Sequence, residues 1–236
     1  MQLIKFLKLL SRLLFIAYLP SCTSNEIGES KDVNQEKIYQ QYTIRQTEGE
    51  EKASVYAQFR FGGRNGTTLV LTPPSLLTLD GEPIKADSGK YAGAFYQLYK
   101  PVTGFYGVHH FIFTDYHNKK FDNDFSLGAF RLLNVPSEIS KSKDLELPFE
   151  TASFNEEDYI ELSTTSTDSS FSLTHRPGEK NNTLIIPSKE LLRQKTKEIM
   201  LETRLYRKIP MHQNTAEGGE LQTIQTLKAV KIRLVD

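Results

Sequence analysis

Several groups of side chains have the types and spacing that chemistry requires. Glu156-Glu157-Asp158 offers adjacent carboxylates of the kind acid–base catalysis uses in pairs. Three consecutive acids just before a strand pattern also make a solvated turn, and that is the expectation here. His109-His110 is the only pair of adjacent histidines. Neighbours on a strand point to opposite faces, so these two cannot chelate one ion unaided. One core-side and one surface histidine is expected. Asp115, Asn118, Asp122, Asn123 and Asp124 have the density of a calcium loop. An EF-hand loop beginning at Asp115 would need Gly at position 120 and Glu at position 126, where Lys120 and Ser126 stand. A solvated hairpin is expected instead.

Other chemistry is excluded by what the sequence lacks. It has no G-x-S-x-G elbow and no H-E-x-x-H pair, and Gly89-Lys90 runs into Tyr91 without the spacing of a phosphate loop. Cys22 is the only cysteine, which excludes an intrachain disulfide, a CxxC redox pair, a zinc ribbon and a Cys-ligated iron–sulfur centre. The sequence therefore predicts a non-catalytic protein with no metal and no cofactor.

Cys22 stands where one chemistry does need it. Lys5, Lys8 and Arg12 precede the apolar run Leu13 to Leu19; Pro20, Ser21 and Cys22 follow, and the chain then turns polar. A basic, then apolar, then small-residue order is that of an export signal. A run of seven apolar residues is far short of the roughly 20 that a membrane-spanning helix needs. Leu19-Pro20-Ser21-Cys22 resembles the bacterial lipobox, although Pro20 departs from the small residue usual at its position. The resemblance implies cleavage between Ser21 and Cys22, lipid on the Cys22 thiol, and membrane attachment through that lipid. Each buried CH₂ contributes about 0.8 kcal/mol, so two or three acyl chains hold a protein firmly. Thr23 follows the lipidated position, which favours the outer membrane by the same resemblance.

Charge bears on partners. The whole chain has 29 Lys+Arg and 29 Asp+Glu, but the three cations before Cys22 leave 26 against 29 beyond it, about −3. A slightly acidic chain with no basic stripe is a poor grip for nucleic acid.

Thr23 to about Lys37 is polar with almost no apolar periodicity, and reads as a flexible tether. Fifteen such residues would span roughly 20 Å on average and about 50 Å if pulled straight. From Ile38 the pattern is β. Tyr42 and Ile44, then Val55, Ala57, Phe59 and Phe61, alternate with polar neighbours. Gly62 to Gly66 and Asp80-Gly81-Glu82-Pro83 are turns, and Pro73-Pro74 stops the strand begun at Thr67. Tyr91–Tyr99 and Val108–Thr114 read as strands, with Phe130 to Leu133 closing the set. A second series follows a break near residue 136 and ends on Val230-Lys231-Ile232-Arg233-Leu234, in which Val230, Ile232 and Leu234 should face the core and Lys231 and Arg233 solvent. Ser188 is expected to cap a short helix. Short strands with turns every 8–12 residues imply an all-β protein of two immunoglobulin-like β-sandwich domains. The predicted division is 1–21 signal peptide, 22–37 lipidated Cys and tether, 38–135 first sandwich and 136–236 second.

The stretch Val55 to Leu71, with Gly104-Phe105-Tyr106-Gly107 and Phe111 to Asp115, resembles uncharacterised envelope lipoproteins of Bacteroidetes-type bacteria with immunoglobulin-like domains. The resemblance covers about the first 135 residues. It implies a lipid-anchored protein with a structural, adhesive or complex-assembly role, and supplies no catalytic residues.

Residues 91–116 are rich in aromatics: Tyr91, Phe95, Tyr96, Tyr99, Phe105, Tyr106, Phe111, Phe113 and Tyr116. Tyr91, Phe95 and Tyr99 should share one strand face and Tyr96 the other. Exposed tyrosines are a platform for sugar rings or partner loops. Tyr96 and Tyr106 are the candidate contact residues, joined by Tyr99 if the alternation lapses at the strand end before Lys100-Pro101, for envelope proteins or, in the alternative reading, for glycans taken up at the cell surface. The absence of Trp weighs against glycans.

Overall fold

A computed structural model describes residues 26–236, apart from 90, 104, 153, 165–169 and 179–181. The export signal, Ser21 and Cys22 lie outside the described residues. The first ten strands are β1 (Ile27–Glu29), β2 (Ile38–Thr47), β3 (Lys52–Phe61), β4 (Thr67–Val70), β5 (Leu76–Leu79), β6 (Glu82–Pro83), β7 (Ala86–Gly89), β8 (Gly93–Pro101), β9 (Gly107–Thr114) and β10 (Lys120–Leu127). Then come β11 (Phe130–Leu132), β12 (Glu138–Ser140), β13 (Leu145–Thr151), β14 (Tyr159–Thr164), β15 (Ser172–His175), β16 (Thr183–Ile186), the helix α1 (Ser188–Leu192), β17 (Glu198–Ile209), β18 (Gly219–Thr226) and β19 (Val230–Val235). The all-β sandwich expectation is met.

Two apolar cores form because alternate residues of each strand turn inward. In the first, Tyr42, Val55 and Phe59 of β2 and β3 face Leu77, Phe111, Phe113 and Phe125 of β5, β9 and β10. Tyr42 stacks on Phe111 at 4.7 Å between ring centroids, and Phe59 lies against Phe113 at 4.6 Å. The second core packs Ile160, Leu162, Leu201, Leu205 and Ile232 against Leu145, Leu147, Phe149, Leu184 and Ile186. As predicted, Ile232 and Leu234 are buried while Lys231 and Arg233 face water. The turn Asp80-Gly81 joins β5 to β6 with φ of 52° and 82°, the left-handed pair that a two-residue hairpin of this type needs.

The division of the chain differs from the sequence expectation in three respects. One sheet of 12 strands runs through both sandwiches in the order β1-β4-β3-β2-β18-β17-β14-β15, with β7, β8, β12 and β19 alongside. Strand β18 comes from the C-terminal half, yet it lies parallel to β2 from Gly219 opposite Gln40 to Thr226 opposite Thr47. It places Leu221 in the first core. A Cβ on Gly219 would come within 2.6 Å of the Gln40 carbonyl oxygen, so this close approach requires glycine. A pairing between segments so distant in sequence leaves no trace in local alternation, so a single cut at residue 136 does not describe it. Phe130 also changes sides: β11 pairs with β13, and the Phe130 ring sits in the second core.

The predicted tether is not a tether over its described part. Strand β1 pairs in parallel with β4, and two 3-10 turns, Ser30–Asp32 and Gln35–Lys37, carry the chain into β2. Ser30 is fully buried; its hydroxyl donates to Ser75 Oγ and accepts the Thr72 N–H at 2.8 Å. The Gln35 amide donates to the carbonyls of Ser30 and Val33 and accepts the Tyr116 N–H. Polar side chains hold this segment, which is why it has no apolar period. The helix differs in detail as well. Pro187, not Ser188, takes the cap position, and the Ser188 N–H donates to Asp144 at 2.7 Å.

Candidate functional site

The residues singled out for chemistry have other employment. The His109 ring lies on Phe105 at 4.2 Å between centroids, and its Nδ1 meets Asp80 at 2.8 Å. His110 points to solvent beside Asp122 at 3.3 Å. Strand alternation thus splits the pair as expected. Partial burial acts to raise the Asp80 carboxyl pKa, but bonds from the His110 N–H and the His109 ring outweigh it and leave it below its ordinary value. Asp115 is buried, and its Oδ1 accepts the N–H groups of His117 and Lys119. The carboxylate thereby closes the β9–β10 hairpin. Among the described residues, no three His, Cys, Asp or Glu side chains group as a metal site.

Glu156 and Glu157 are exposed, but Asp158 departs from the solvated-turn expectation. It is fully buried, accepts the N–H groups of Asn155 and Lys208, and faces Arg207 with Nε–O at 3.9 Å. Burial pushes the Arg207 guanidinium pKa down, and the Asp158 charge opposes that shift. This pair stands beside a cleft of about 230 Å³ lined by Asp124, Ser126, Asn155, Arg207 and His212. In that cleft His212 Nε2 contacts Asp124 at 2.9 Å, the arrangement of a base with an orienting acid. No hydrogen bond links Ser126 to that histidine among the described residues, so the nucleophile–base contact of an acyl-transfer site is missing. An apolar depression of about 420 Å³ opens in the second sandwich between β15 and β16, lined mainly by Leu162, Leu173, Leu184, Ile185 and Pro187.

The three candidate tyrosines do not gather. Tyr96 is only 3% exposed: its ring packs edge-on against Phe59, and its hydroxyl accepts the Leu71 N–H. It is a core residue and cannot meet a ligand, because the outward face of β8 is the one that holds Tyr99. Tyr99 is 57% exposed and Tyr106 is 55% exposed. Tyr106 lines a separate depression where the two sandwiches join, with Gln46, Gly128, Phe130 and Gln225.

Strand register brings together a set that sequence alone could not. Tyr159, Tyr206, Ile224, Arg45, Ser54 and Tyr99 are successive cross-strand partners over β14, β17, β18, β2, β3 and β8. Five strand spacings make this row about 24 Å long. Its members fall on the outward face, because their neighbours Ile160, Leu205, Ile44 and Val55 are all core. The next outward row is Lys208, Gln222, Thr43, Tyr56 and Gln97. Tyr159 and Tyr206 stack on each other at 4.6 Å, so they present edges and hydroxyls outward. Tyr56 stacks on Phe95. Burial raises the Tyr56 phenol pKa, while Arg60 and Arg45 draw it down. Gln97 donates to the Tyr99 hydroxyl at 2.8 Å, and Gln222 donates to Thr43 at 3.1 Å.

The fold and this face define an all-β protein of two joined sandwiches with a broad polar and aromatic sheet surface. No family model matches the chain. No curated protein matches it either. Solved structures that are similar to it are so at a low level. Murine CEACAM1b is 10% identical, with 84% of this chain and 100% of that chain covered, at a TM-score of 0.24. DIP-gamma IG1+IG2 is 8% identical, covering 84% and 95%, at 0.22. SGBP-B of the Bacteroides ovatus mixed-linkage glucan utilization locus, solved with a mixed-linkage heptasaccharide, is 10% identical, covering 89% and 65%, at 0.21. At TM-scores this low, neither the topology nor the partners of those proteins transfer to this chain.

Proposed function

We propose that this chain is a non-catalytic lipoprotein of the bacterial envelope, cut before Cys22 and held on the outer membrane by lipid on that thiol. It serves a structural, adhesive or complex-assembly role there. The observation that carries the reading is the only cysteine standing directly after a basic and apolar leader, in Leu19-Pro20-Ser21-Cys22. The first described strand begins at Ile27, five residues after that cysteine. Five residues reach at most about 18 Å, so the first sandwich rides close to the bilayer rather than on a long stalk. A second reading, a glycan-binding lipoprotein of a surface uptake system, is favoured by the exposed Tyr99 at the end of an outward row of polar side chains.

The test is Cys22→Ser in the native host. The substituted protein is expected to lose metabolic palmitate label and to move from the detergent phase to the aqueous phase. Label and partitioning equal to wild type would refute the anchor.

A further inference from the structure

We propose that the outward face of the long sheet binds an extended anionic polysaccharide, with an acidic group of the polymer on Arg45 and a sugar ring on Tyr99. The inference deepens the binding-protein reading above and rests on it. Arg45 lies in the middle of the 24 Å row, about two strand spacings from Tyr99 and two from Tyr206. Its side chain is exposed and makes no hydrogen bond or ion pair with any described residue.

Around the middle of the row the charges are matched, while Glu50, Glu51 and Lys52 stand beside Tyr99 at its end. Lys208 pairs with Glu157, Arg204 lies between Glu161 and Glu202, and Glu220 pairs with Arg64. The two central rows therefore keep one uncompensated charge, and it is positive. A guanidinium binds a carboxylate or a sulfate ester through paired N–H donors. Around it the face offers what a sugar's hydroxyls use: the half-buried amides of Gln97 and Gln222 and the hydroxyl of Ser54. Among the described residues Tyr99 makes no ring contact with another aromatic side chain, and its ring is exposed for a sugar to stack on. An acidic peptide fits less well. Extended peptides gain affinity by adding to a free sheet edge, whereas the backbone of this face is already paired strand to strand.

The experiment is affinity electrophoresis of the full lipidated protein in detergent, in gels containing polygalacturonate, dextran sulfate, neutral dextran or polyglutamate. Retardation by polygalacturonate or dextran sulfate is expected, and which of the two retards distinguishes a uronate from a sulfate ligand. Arg45→Ala should weaken that binding about tenfold or more, the scale of a lost charge-assisted bond. Arg45→Lys should recover part of it. Tyr99→Ala should weaken binding severalfold, and Tyr106→Ala, off the row, should leave it unchanged. The proposal is overturned if neither anionic polysaccharide retards the protein, if neutral dextran or polyglutamate retards it equally, or if Arg45→Ala, folded with an unchanged melting temperature, binds as wild type. Failure of the anchor reading would appear separately, in the Cys22→Ser labelling.

Discussion

The segment 27–37 and the strand β19 both join the long sheet, by opposite means. Strand β19 buries Ile232 and Leu234 and exposes Lys231 and Arg233, so its apolar period is its attachment. Segment 27–37 has no such period. It holds on through the β1–β4 backbone ladder and through Ser30 and Gln35, two polar side chains almost entirely withdrawn from water. Every polar atom of the Gln35 amide finds a partner, to Ser30, Val33 and Tyr116. Buried polar groups that are fully satisfied can fasten a segment as an apolar stripe does, and leaving them unsatisfied is costly. Polar composition, then, separates an exposed chain from a docked one only when the hydrogen-bond partners are known.

One deletion and two substitutions sharpen that comparison. Deleting residues 27–34 has the largest expected effect, a loss of roughly 3–5 kcal/mol, because it removes a strand and leaves Thr72, Ser75 and Gln35 without the partners that Ser30 and Val33 supply. A tether would give no change in the urea midpoint, so an unchanged midpoint restores the tether. Ile232→Ala should cost about 2–5 kcal/mol, from lost burial plus the cavity left behind. The same urea titration checks it, and a loss below about 1 kcal/mol would show that β19 is not a core strand. Lys231→Ala, one residue away, should shift stability by no more than about 0.5 kcal/mol despite its 2.6 Å ion pair to Glu198, because both partners are solvated. A cost equal to that of Ile232→Ala would mean that the strand is buried on both faces.

Legibility follows the range of the interaction. The inward Val55, Ala57 and Phe59, the Asp80-Gly81 turn and the split of His109 from His110 are local rules and are found as the sequence implies, whereas Phe61, the next inward member by the same rule, lies exposed at the strand end. Tyr96 lies on the strand that the sequence implies but on its inner side, since parity relates Tyr96 to Tyr99 without saying which faces the core. The parallel pairing of β18 with β2 joins residues about 180 apart and has no local signature. The burial of Asp158 depends on Arg207, almost 50 residues on, and could not be seen in three consecutive acids. The Tyr159-to-Tyr99 row exists only through five registers, so no spacing in the sequence could have assembled it.

The account's central claim is the anchor, and the mass of the mature N-terminus tests it most directly. The protein would be extracted from its native envelope with detergent and its first proteolytic peptide measured by mass spectrometry. The account predicts a peptide beginning at Cys22 and heavier than its sequence by a thioether-linked diacylglyceryl group. A peptide beginning elsewhere, or one beginning at Cys22 with an unmodified thiol, would contradict it.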